Sequence, residues 1–145
     1  IFPKGSGGRA LIVEMHYMLG LTVFVLVWLR LFARSLGVAP KIVPAPPQWQ
    51  SLLATLMHIA LYALMIGMPI AGWLIVSAQG HSVMFYGIEL PPLIGENKDL
   101  SKQIKEWHEL GGAIGYWLIG LHAAAGLYHH YFMRDNTVLR MIPKR

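Results

Sequence analysis

Cysteine is absent from the 145 residues, which excludes disulfides, thiolate metal ligation and any prosthetic group anchored through cysteine. Charge is scarce as well. Only 13% of residues are charged, against about 25% in an ordinary soluble domain. Acidic residues are the rarer sign, seven against twelve lysines and arginines. With 55% hydrophobic residues and a mean hydropathy of +0.49, the composition is that of a membrane protein. The net charge of +5 gathers at the ends of apolar stretches, which suits orientation at a membrane surface and gives nucleic acid no binding stripe. There is no internal repeat, and residues 1–145 read as a single all-α transmembrane unit.

Three apolar stretches reach the roughly 20 residues that a ~30 Å hydrocarbon core requires. They cover about 11–32, 52–78 and 101–133, with a basic tail over 134–145. The second contains Met68-Pro69, which predicts a kink or one relaxed turn. Between the first two stretches runs Pro40-Lys41-Ile42-Val43-Pro44-Ala45-Pro46-Pro47, a stiff extended connector. A longer loop, Gln79 to Leu100, joins the second stretch to the third and carries Glu89, Glu96 and Asp99. The tryptophans fall mostly near span ends, as an aromatic belt does, with Trp117 deeper.

Lysine and arginine set the orientation. Arg30, Arg34, Lys41, Arg134, Arg140, Lys144 and Arg145 lie on the connector side, against Lys4, Arg9, Lys98, Lys102 and Lys105 on the other. This bias places the C-terminus in the cytoplasm, and three spans then put the N-terminus outside. A chain that begins at Ile1 with no signal peptide does not reach the outside easily. The expectation is therefore a four-helix protein whose first span precedes this sequence.

Ionisable groups inside a bilayer are costly and default to functional sites. His108 and His122 stand fourteen residues apart on the third stretch, within about 40° of one another and about 21 Å apart along the axis. Imidazole is a common axial ligand of haem iron, so two imidazoles on one face suit two stacked haems. His16 lies about as deep in the first span as His108 in the third, which predicts that the two clamp one haem. Gly20, Gly111, Gly112 and Gly115 leave flat space for a porphyrin or for close helix contact. The partner of His122 is either His58, at comparable depth in the second span, or a histidine on a preceding helix. His129 lies on nearly the same stripe as His122 but at the interface, where substrate contact or proton handling suits it better. His130 beside it and His81 in the outer loop read as interfacial and solvated side chains.

WHELGGAIGYWLIGLH, continuing through LHAAAGLYHHYFMRDNTVLRMIP, resembles the terminal helix and tail of bacterial cytochrome b561 proteins. HIALYALMIGMPIAG resembles their third helix, and FPKGSGGRALIVEMHYMLG the entry to their second. The resemblance implies a four-helix di-haem cytochrome b of the bacterial inner membrane, of which three helices are present here, binding haem b. By this likeness His16 and His108 match the ligands of an outer haem, and His122 matches one ligand of an inner haem whose other ligand belongs to the family's first helix. His58 and His129 fall near a cytoplasmic quinone pocket.

The implied activity takes an electron from superoxide outside and passes it to ubiquinone. Lys98, Lys102 and Lys105 stand beside the outer site as an attraction for an anion, or as a solvated helix start balanced by Glu106 and Glu109. The competing readings are a cytochrome b subunit that relays electrons from a dehydrogenase or hydrogenase partner, and a haem-free scaffold or transporter fragment. No side chain is singled out as catalytic.

Overall fold

The structure is a computed structural model and describes residues 7–38 and 40–139. Three long helices dominate it: α1 over Gly7–Leu36, α2 over Gln48–Ala78 and α3 over Lys98–Tyr128. A single π-helical turn, His129–Met133, continues α3. All three are long and apolar enough to cross a membrane. They begin about one turn before the apolar stretches do, and α1 also ends about one turn later. Spanning limits only the apolar part, so polar residues can prolong a helix into water. At α3 the cap decides the start: Asn97 Oδ1 accepts the Leu100 amide at 3.0 Å, and Asp99 in the first turn complements the helix dipole. The basic residues Lys4, Arg140, Lys144 and Arg145, which entered the orientation argument, lie outside the described residues.

Helix α2 is the centre of the bundle. It packs along both neighbours, whereas α1 and α3 make no direct backbone approach to each other among the described residues. Of the two expectations at Pro69, a kink or a relaxed turn, the relaxed turn is not seen. Helix α2 stays α-helical from Gln48 to Ala78, although proline removes the amide that would bond the carbonyl four residues earlier. Large apolar side chains cover the outside, with Trp107 at 79%, Tyr116 at 83% and Trp117 at 77% exposure. Trp117 is therefore exposed on the surface of the three-helix bundle.

Small residues decide how closely α2 and α3 approach. A methyl group at Gly111 would meet Met68 Sδ at 2.6 Å, and one at Gly115 would meet both Leu64 methyls at 3.1 Å. Gly111 and Gly115 thus admit Met68 and Leu64 at the helix contact, while Gly20 faces open space. A Cβ on Gly120 meets nothing within 4 Å, so Gly120→Ala reports the gain in helix propensity alone, up to about 1 kcal/mol. Gly115→Ala should fall below it by about 1–3 kcal/mol through overpacking, measured as thermal stability in detergent. Equal stability of the two variants would mean that Leu64 swings aside freely.

The loop from Gln79 to Leu100 is more ordered than its sequence suggests. It contains a hairpin, β1 over Val83–Phe85 and β2 over Ile88–Leu90, paired antiparallel with Met84 opposite Glu89. Its two-residue turn places Tyr86 at φ 47° and Gly87 at φ 84°, the positive pair that lets strands twist correctly. Val83 is 3% exposed and packs with Leu21, Val76 and Trp73. The Tyr86 hydroxyl lies 3.3 Å from Thr22 Oγ1 on α1, so the hairpin bridges to that helix. Around it, Asn97 N–H donates to the Ala78 carbonyl at 2.9 Å, and Ser101 Oγ to the Ile75 carbonyl at 3.2 Å.

At the opposite end the chain after α3 is tied to the proline connector. The Val43 amide donates to Asn136 Oδ1 at 2.9 Å, and the Asn136 amide to the Val43 carbonyl at 3.2 Å. Asn136 Nδ2 also reaches the Lys41 carbonyl at 3.3 Å.

Candidate functional site

Two helices whose backbones do not approach each other still bring two histidines together. His16 of α1 and His108 of α3 have ring centres 6.0 Å apart, with planes 83° to each other. Two imidazoles sharing a first-row metal, each nitrogen about 2 Å from it, have centres roughly 6 Å apart. The pair lines a cavity of about 310 Å³ over α2, with Gly20, Met68, Gly72 and Trp73 in its walls. A Cβ on Gly72 would sit 3.5 Å from His108 Cε1, while one on Gly20 would meet nothing within 4 Å. Gly72 keeps the backbone close beneath the ring, and Gly20 keeps one wall open. His108 Nδ1 is buried without a hydrogen-bond partner, a deficit of about 1–3 kcal/mol if nothing met it.

A second pair lies further along the bundle. His58 of α2 and His122 of α3 have ring centres 5.4 Å apart, so the contact that sequence left open is made. A shared iron would require these rings to part by about half an ångström. Arg30 Nε donates to the Tyr62 hydroxyl at 3.2 Å nearby, one turn along α2 from His58.

The third feature was not visible in the sequence. His129 Nδ1 lies 2.5 Å from Asp135 Oδ2, and the Asp135 side chain is only 3% exposed. Asp135 Oδ1 accepts the Thr137 amide at 2.8 Å. Burial alone would raise this carboxyl, but the bonds from His129 and Thr137 outweigh it and hold it below the ordinary aspartate value. Nearby, His130 Nδ1, Gln50 Oε1 and Thr137 Oγ1 are buried and unbonded. His130 thus faces inward at least in part, not simply to solvent. His81 is exposed.

The lysines of the hairpin end divide. Lys98 pairs with Glu96 at 3.4 Å and Lys105 with Glu109 at 3.7 Å. Lys102 is exposed and makes no ion pair among the described residues.

The profile of a family described as prokaryotic cytochrome b561 matches residues 2–144. The chain belongs to the prokaryotic cytochrome b561 family. It is 43% identical over 144 residues to cytochrome b561 homolog 1 of Escherichia coli (strain K12), covering 99% of this chain and 82% of that one. It is 37% identical over 131 residues to the probable superoxide oxidase CybB of Yersinia pestis, covering 90% of this chain and 74% of that one. Cytochrome b561 homolog 2 of Escherichia coli (strain K12) is 27% identical over 139 residues.

Membership makes this a helical membrane cytochrome that binds haem b and transfers electrons. The residues present suit that group. Among the described residues no three histidine or carboxylate side chains converge, so the sites offer paired imidazoles. Two axial imidazoles suffice when a macrocycle supplies the remaining ligands. The His16/His108 spacing and the open wall at Gly20 fit such a tenant.

Proposed function

We propose that this chain oxidises superoxide at its hairpin end and reduces ubiquinone at its connector end. The carrying observation is the placement of His108 and His122 on one helix, each ring beside a histidine of a different neighbour. Haem b supplies the one-electron carriage between the two faces. In this reading His16 and His108 hold one haem, and His122 is a ligand of the second. His58 and His129 contact the quinone. Lys102, which makes no ion pair among the described residues, draws the anionic donor. The hairpin end faces outward and the connector end the cytoplasm, in a bacterial inner membrane. The name of the Yersinia relative and the positive-side bias support the reading.

The chemistry balances with protons drawn from water as the only further reactant. Two superoxide anions each lose an electron and become dioxygen, while one ubiquinone gains those electrons and two protons and becomes ubiquinol. The purified haem-loaded chain, supplied with superoxide and ubiquinone, should produce ubiquinol faster than the two reagents do alone. Lys102→Glu should lower the apparent affinity for superoxide, and raised salt should weaken the difference between the two proteins. A haem spectrum that superoxide leaves oxidised, in a protein that an electron-carrying partner reduces readily, would replace this reading with the relay subunit.

A further inference from the structure

The unassigned group at the connector end is Asp135. It is a carboxylate at 3% side-chain exposure, two residues beyond a π-helical turn, where nothing in the helix needs a charge. The chain reaches it by a reversal at Arg134, which takes φ 52°, a left-handed conformation that is unfavourable for a non-glycine residue. That reversal brings Asp135 back beneath His129, with Oδ2 2.5 Å from Nδ1 and Oδ1 taking the Thr137 amide at 2.8 Å. An ionised carboxylate only accepts, so the proton between them sits on His129 Nδ1. Nε2 is then the nitrogen left for a ligand.

We infer that Asp135 is a positioning residue for His129, fixing its tautomer and ring so that Nε2 handles a proton for the quinone. The inference rests on the reading of His129 as a quinone contact. Nε2 takes a proton from water at the interface and releases it to a quinone carbonyl oxygen as an electron arrives from the cytochrome. The imidazole returns to its starting state, and Asp135 keeps its charge throughout. The buried unbonded atoms His130 Nδ1, Gln50 Oε1 and Thr137 Oγ1 belong to the same end of the bundle, as expected where a polar headgroup is received.

The test uses the full haem-loaded chain in detergent with ubiquinone as acceptor, comparing Asp135→Asn, Asp135→Glu and His129→Ala. Asp135→Asn should keep both haem spectra, lower kcat about a hundredfold and leave KM for quinone within a fewfold. Asp135→Glu should recover part of the loss. Wild-type kcat in Asp135→Asn alongside a slowed His129→Ala would overturn the positioning role and leave the quinone reading standing. Wild-type kcat in His129→Ala would overturn both. Should Asp135→Asn lose haem, nitrogen NMR of the unsubstituted, histidine-labelled chain decides. A neutral His129 protonated on Nδ1 supports the inference, and one protonated on Nε2 overturns it.

Discussion

Replacing either His16 or His108 with alanine is expected to remove the same haem and leave the other in place. The two rings come from helices that do not approach each other directly, yet their centres are 6.0 Å apart. A metal between them would be held from both sides, and a methyl group at either position cannot reach across. The purified variants should show the haem content halved, with identical residual spectra. The double variant should look like either single one. Ubiquinol formation from superoxide should fall to background in all three, because the path from the outer face is cut. The retained second haem is the control for folding, since a collapsed bundle would lose both. Different residual spectra in the two single variants would break the pairing.

Much of this arrangement follows from simple periodicities. The spans are legible because about 20 apolar residues admit few alternatives. The level of His16 with His108 is legible because rise per residue is fixed and both helices start from the same membrane face. Azimuth is harder. His58 and His122 could be placed at similar depth, but whether they face each other depends on how α2 and α3 rotate, which Gly111 and Gly115 set by admitting Met68 and Leu64. The hairpin escaped because Tyr86, a bulky residue, stands at the first positive-φ position of its turn, where asparagine, aspartate or glycine would have signalled it. Asp135 escaped for a related reason. Residues 134–145 read as a basic tail, and only the reversal at Arg134 converts the acidic residue within it into a partner of His129.

His122→Ala is expected to have the other large effect: loss of the second haem and of quinone reduction, with the His16/His108 haem still reducible from outside. The variant should accumulate electrons at the first site and stop there, seen as a reduced b-type band that ubiquinone no longer bleaches. His58→Ala separates two roles that the structure places side by side. Its ring centre is 5.4 Å from that of His122, closer than a shared iron allows by about half an ångström. As a quinone contact, His58 can be removed with both haems retained, at a cost of about 1–3 kcal/mol in quinone reduction for one partly buried hydrogen bond. As an axial ligand, its loss would empty the second site and reproduce His122→Ala. The spectrum of His58→Ala decides between these roles, because contact alone perturbs a band whereas ligation abolishes it. A His58→Ala protein that has lost the second haem would place His58 on the iron and leave His129 as the histidine at the quinone.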